Sequence, residues 1–99
     1  MPDLTGSELV EIFSALANPY RVQILATLYN KTIYVSQLAR QIGISRPLLI
    51  MHLKKLEDAG LVSSRLELSP DGKAMRYYEV KDFDIRLTPE FFASFNANS

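Results

Sequence analysis

The chain of 99 residues contains no cysteine, which removes disulfides, thiolate catalysis and every metal site built on sulfur. His52 is its one histidine, so a transition-metal centre would rest on carboxylates, a donor set that suits few sensors. No cofactor or metal is therefore expected. The glycines form no phosphate-cradling loop, and no nucleophile–base pair suggests itself, so enzymatic activity is not expected either. No apolar run approaches the roughly 18 to 20 residues that a membrane span requires. Residues 1–10 also lack a basic segment leading into an apolar one, so neither a membrane partner nor a secretory leader is expected, and the expected compartment is the cytoplasm. An excess of charge of either sign is missing as well. The formal net charge is zero, which by itself is poor support for a nucleic-acid partner.

What is present is ordinary globular material, 47% hydrophobic and 22% charged, and the length suits one core and one domain, residues 1–99. The charge is unevenly placed. Residues 1–20 hold Asp3, Glu8 and Glu11 and no base; residues 40–76 hold seven basic residues against four acidic ones; residues 77–99 are acidic again. A basic middle between acidic ends can turn one face toward phosphate while the neutral total limits nonspecific adhesion.

Local patterns divide the chain into short elements. Thr5 with Glu8 three residues later is a capping-box pattern, and Leu9, Ile12, Phe13 and Leu16 recur at helical spacing, predicting a first helix over 6–16. Asn18 and Pro19 are an N-cap and a first helical residue, opening a second helix with Val22, Ile24, Leu25 and Leu28 inward and its end near Tyr29-Asn30. Thr32 to Val35 reads as a short strand or extended link. A third helix begins at Ser36 with Leu38, Ala39 and Ile42 inward and stops at a left-handed Gly43. Ser45 caps a fourth, with Pro47 in its first turn; Leu49, Leu53 and Leu56 form the inner stripe and Gly60 closes it. Leu61 to Ser69 and Ala74 to Val80 are strand-like and joined by Pro70-Asp71-Gly72-Lys73, which makes a β-hairpin. Pro89 opens a last helix, 89–96, bearing Phe91, Phe92 and Phe95, and Asn96 to Ser99 reads as frayed. The fold class expected is mainly α with a small β-hairpin.

Leu38, Ala39, Ile42, Gly43, Ile44, Ser45, Leu49 and Leu53 make a helix-turn-helix pattern: Ala39 lets two helices cross closely, Gly43 permits the tight turn, and Ile44 and Leu49 anchor it. The same residues suit a plain αα-hairpin, but the following Ala59-Gly60-Leu61-Val62 and basic hairpin favour the winged form. The run from Ala15 to Leu25 resembles the opening of ArsR-type winged-helix regulators. Ser45-Arg46-Pro47, the stretch from His52 to Val62, and Arg76-Tyr77-Tyr78 extend the resemblance over residues 8–80. It implies a dimeric DNA-binding repressor or activator with the fourth helix in the major groove and the hairpin beside it. The thiolate motif of metal-sensing members is missing, because Val35-Ser36-Gln37-Leu38-Ala39 has no cysteine, so metal or arsenical sensing is not expected.

Placing successive residues 100° apart puts Leu49, His52, Leu53 and Leu56 on the core side of the fourth helix and Pro47, Met51, Lys54, Lys55 and Asp58 opposite, with Leu48 and Ile50 on the flanks. Regulators of the resembling kind commonly carry polar residues where Leu48, Ile50 and Met51 stand. Base readout by hydrogen bonds is therefore thin, leaving Arg46 as the guanine candidate, while apolar side chains can meet thymine methyls. The expected DNA-contacting set is Ser45, Arg46, Pro47, Ile50, Met51, Lys54 and Lys55, with Arg65, Lys73 and Arg76 of the hairpin. For the hairpin cations, phosphate or minor-groove contact and plain solubility are both open. Arg21 suits either a phosphate at the second helix's start or packing on the first helix. His52 reads as a packed, hydrogen-bonded core residue before a ligand or pH switch. Of Tyr77 and Tyr78, strand alternation sends one inward.

Four of the five phenylalanines fall in the last segment, and so aromatic a terminal helix needs a surface to cover. Packing first and last helices at a two-fold contact meets that need, with Leu9, Ile12, Phe13, Leu16, Phe91, Phe92 and Phe95 as the expected dimer interface; intrachain packing alone is the other arrangement. The partners expected are double-stranded DNA and a second copy, with recognition helices about 34 Å apart. The rival reading is a winged-helix module that binds a protein through Leu48, Ile50 and Met51.

Overall fold

A computed structural model describes residues 4–95. The elements run α1 (Gly6–Leu16), α2 (Pro19–Leu28), β1 (Ile33–Tyr34), α3 (Val35–Ile42), α4 (Arg46–Asp58), β2 (Val62–Leu68), β3 (Ala74–Val80) and α5 (Pro89–Ala93). The capping box at α1 is complete: the Thr5 hydroxyl accepts from the Glu8 amide at 3.1 Å, and the Glu8 carboxylate accepts from the Thr5 amide. At α2 the Asn18 carboxamide oxygen accepts from the amides of Tyr20 and Arg21, so the donors at this helix start are already engaged. Gly43 ends α3 at φ 82°, left-handed as the turn between α3 and α4 requires.

The core gathers one stripe from each helix. Ile12 and Ala15 of α1, Ile24 and Leu28 of α2, Val35, Leu38, Ala39 and Ile42 of α3, and Leu49, Leu53 and Leu56 of α4 are buried together, closed below by Ile33, Leu61, Val62 and Tyr78. Val22, expected inward, is 53% exposed. It stands two residues, or 200°, from Ile24, and the stripe is set by Ile24 and Leu28, four residues apart. The third helix starts at Val35, one residue before the expected Ser36, because Val35 is itself a core residue that the turn of helix carries inward.

The sheet has the order β1-β3-β2, antiparallel throughout, with Ile33 opposite Tyr78 and Val62 opposite Val80. Of the two readings at Thr32 to Val35, the short strand is the one observed, at Ile33–Tyr34. At the hairpin tip the Ser69 amide donates to the Lys73 carbonyl at 2.8 Å and Gly72 takes φ 84°. The last helix is shorter than the expected 89–96: it ends at Ala93, where Ser94 turns its hydroxyl back onto the Phe91 carbonyl at 2.6 Å. Residues 96–99, expected to fray, lie outside the described residues. Among the described residues no helix is long and apolar enough to cross a membrane.

Candidate nucleic-acid interface

The fourth helix is built to show one side and hide the other. Ser45 caps it, its hydroxyl accepting from the Leu48 amide at 3.3 Å, so this predicted contact residue is occupied as a cap. Leu49, His52, Leu53 and Leu56 are buried, fixing rotation about the helix axis. Pro47, Met51, Lys54, Lys55 and Asp58 are then necessarily exposed, with Arg46 and Ile50 beside them. Met51 is 60% exposed, Ile50 43% and Leu48 37%, so three large apolar side chains stand on the surface of one short helix.

The cations there are not equivalent. Lys54 Nζ lies 3.6 Å from Asp58 Oδ1, one turn on, in an exposed pair. Among the described residues Arg46 and Lys55 enter no ion pair. In the hairpin, Arg65 Nε donates to Glu67 at 3.1 Å and Lys73 Nζ sits 3.9 Å from Asp71, so the wing brings its own counter-charges. Nor do its arginines cluster. Arg65 pairs in register with Tyr77 and Arg76 with Leu66, so alternation sends Arg65 and Arg76 to opposite faces of the hairpin. Arg76 shares its face with Ser64 and Tyr78, and its Nη1 donates to the Ser64 hydroxyl at 2.9 Å, which in turn donates to Glu57 at 3.3 Å. This relay ties the root of the wing to the last turn of α4. Sequence reasoning placed Glu57 and Ser64 in no role, and only strand register could have revealed the link.

Arg21 resolves to packing. Its Nε donates to the Ala15 carbonyl at 2.6 Å and Nη2 to Ser14 at 3.4 Å, closing the C-terminal end of α1, and Nη1 lies 3.0 Å from His52 Nδ1. A guanidinium can only donate, so Nδ1 accepts and the neutral imidazole carries its proton on Nε2. Burial, reinforced by the Arg21 charge, pushes His52 below its ordinary value of 6.5. His52 is thus the packed, hydrogen-bonded residue expected, joining α4 to α1 and α2. Tyr78 is the inward tyrosine; burial raises its hydroxyl, Glu57 adds to the rise, and Arg76 and Arg46 oppose it. Tyr77 is half-buried against the Tyr34 ring at 5.8 Å.

A second surface lies at the chain ends. Of the residues expected at a dimer contact, Ile12 and Leu9 are 2% and 6% exposed and are spent within the protomer, whereas Phe13 and Leu16 are half-covered and Phe92 is 47% exposed. Phe91 packs edge-on against Phe92 and Phe95, with ring centroids 5.4 and 5.1 Å apart. Grooves lined by Val10 with Phe92 and Phe95, and by Phe13 and Leu16 with Phe83, Ile85 and Leu87, run between α1 and the C-terminal segment. Val10 and Leu87, 66% and 58% exposed, were missed. For Val10 the available signal was an apolar residue out of step with the inner stripe of its helix; Leu87 lies between β3 and α5 and offered no such pattern. Among the described residues no three His, Asp or Glu side chains gather as a metal site.

Comparison with known proteins fits this geometry. The family described as "Bacterial regulatory protein, arsR family" matches residues 18–64, from the cap of α2 into β2. The HTH-type transcriptional regulator MJ0229 of Methanocaldococcus jannaschii is 40% identical over 83 residues, 84% of this chain and 86% of that protein. KmtR of Mycobacterium tuberculosis, also an HTH-type transcriptional regulator, is 40% identical over 65 residues, 66% of this chain, and the chain spans 50% of its length. Among solved structures, the homodimeric winged helix-turn-helix DNA-binding domain of Mb0332 from Mycobacterium bovis superposes with a TM-score of 0.67 at 28% identity, covering 75% of this chain and 64% of that one. Helix order, wing and sequence agree: the chain belongs to the arsR family of bacterial regulatory proteins, a family of winged helix-turn-helix transcriptional regulators and not of enzymes.

Proposed function

We propose that this protein binds operator DNA as a homodimer, in the cytoplasm where the chromosome lies, and regulates transcription by occupying it. The carrying observation is the rotation of α4: a fully buried stripe of Leu49, His52, Leu53 and Leu56 leaves Pro47, Ile50, Met51, Lys54 and Lys55 outward, with Arg46 at the helix start. In this reading α4 enters the major groove, Arg46 meets a guanine edge, and Lys54 and Lys55 meet phosphates. Lys73 at the wing tip, with Arg76 or Arg65 according to which hairpin face turns inward, flanks the adjacent backbone. The whole chain, 1–99, acts as one domain. Helix α1 and the segment from α5 to Phe95 supply the two-fold contact through Phe13, Leu16, Phe91, Phe92 and Phe95 over the buried Leu9 and Ile12, with Val10 and Leu87 added. The Mycobacterium bovis domain that this chain resembles is homodimeric, which supports a two-copy assembly.

A salt titration of the full chain on duplex DNA tests it. Binding should weaken steeply between 50 and 200 mM salt, as counterion release requires. Arg46→Ala should lose discrimination between sites, whereas Lys54→Ala should weaken all duplexes about equally. Failure to bind any duplex even at 50 mM salt would instead favour a protein partner on Leu48, Ile50 and Met51, an apolar contact that responds little to salt.

A further inference from the structure

Of the four bases, only thymine offers an apolar group in the major groove, its C5-methyl; the rest is hydrogen-bond donors and acceptors. Bidentate adenine recognition needs Asn or Gln, and α4, from Arg46 to Asp58, has neither, nor any Ser or Thr within the helix. What stands on its outward face between the cations is Met51, 60% exposed, and Ile50, 43% exposed. Both are held there by the buried stripe on the other side, and the charges around them are mainly positive: Arg46 toward the start, Lys54 and Lys55 beyond. Glu57 is turned to Ser64 and Asp58 to Lys54. An apolar pair framed by cations fits a surface that is anionic at its rims and apolar at points on its floor, which is a major groove carrying thymines. It does not fit a neutral apolar protein groove.

Resting on the DNA-binding reading above, we infer that Ile50 and Met51 are, beside Arg46, specificity-determining residues of this regulator and that they select its operator by van der Waals contact with thymine methyl groups. Each half-site then carries thymine under Ile50 or Met51, next to the guanine that Arg46 contacts. Specificity comes from excluding water between two apolar groups, so it is sensitive to one methyl group on each side.

The test selects duplexes from a randomised pool with the full chain, then remakes the most enriched duplex with deoxyuridine in place of thymidine. Losing one buried methyl is expected to weaken binding about fourfold, and about 16-fold when one contact is lost in each of two half-sites. In the Ile50→Ala/Met51→Ala double variant, the difference between thymidine and deoxyuridine duplexes should fall below about twofold. Both positions are exposed, so the variant should keep its fold, checked by circular dichroism. Equal binding of the two duplexes, a full uracil penalty in the double variant, or enriched half-sites without thymine would overturn the inference while leaving DNA binding intact. Retention of no duplex at low salt would instead sink the DNA-binding reading, and this inference with it.

Discussion

Replacing Asp58 with asparagine is expected to tighten DNA binding, although it removes an ion pair. Lys54 and Asp58 form an i,i+4 pair at 3.6 Å with side chains 76% and 54% exposed, on the same outward stripe that is proposed to face the groove. An exposed pair of this kind contributes about 0.2 to 1 kcal/mol, so its loss costs the free protein little. When Lys54 turns to a phosphate it must give up or share Asp58, and the carboxylate then stands beside a polyanion. With two copies per operator, relief of the first cost alone amounts to about 0.4 to 2 kcal/mol, or roughly 2- to 30-fold in affinity. The assay is a fluorescence-anisotropy titration of a selected duplex at 50, 100 and 200 mM salt. Asp58→Asn should bind more tightly at every salt. Lys54→Ala, which removes one phosphate contact per half-site, should flatten the logarithmic salt dependence by about 1.8. If Asp58→Asn binds with unchanged or weaker affinity at 50 mM salt, the outward face of α4 is not turned to phosphate and the docking argument fails.

Two further expectations follow from the remaining contacts. His52 has its imidazole held below its ordinary 6.5 by burial and by Arg21, so the unfolded chain binds the proton more readily than the folded one. The stability it contributes is complete above pH 6.5 and is lost as the pH falls toward the folded value; the urea midpoint should drop from pH 7 to 5.5, and His52→Gln should flatten that drop. An unchanged slope in His52→Gln would remove His52 as its source. At the chain ends, Phe92→Glu places a charge on the aromatic cluster at its most exposed large side chain, Phe92 being 47% exposed in the protomer. Analytical ultracentrifugation should show it largely monomeric at concentrations where the parent chain is a dimer, with the α-helical signal retained; a variant that still dimerises would move the two-fold contact elsewhere.

The helices were legible because their ends are chemically marked. Thr5, Asn18 and Ser45 cap where expected, Gly43 turns left-handed where expected and Gly60 closes α4 where expected, since caps and turns act on their own backbone neighbours. The rotation of α4 was equally legible, because a stripe of three leucines admits one burial. Less legible was whatever depends on distant chain. Thr32 to Val35 left strand and link both open, and pairing with Tyr77 and Tyr78 decides for a strand at Ile33 and Tyr34. The wing cations looked like one cluster along the sequence, but register separates Arg65 from Arg76, and local carboxylates occupy Arg65 and Lys73. Arg21 left two readings open until the carbonyls of α1 and the ring of His52 were placed around it.

The outer half of the hairpin carries a burden of its own. Beyond Tyr77 the two-residue β1 gives out, leaving β3 from Ala74 to Arg76 unpaired on that side, while β2 is an edge along its whole length, with Leu66 and Leu68 58% and 74% exposed. Such a ribbon invites another molecule's ribbon to lie alongside it. The charged couple Arg65–Glu67 halfway along β2 and Pro70 at the bend disfavour that addition, so a pair whose contribution to holding this protomer together is small counts instead against edge-to-edge pairing.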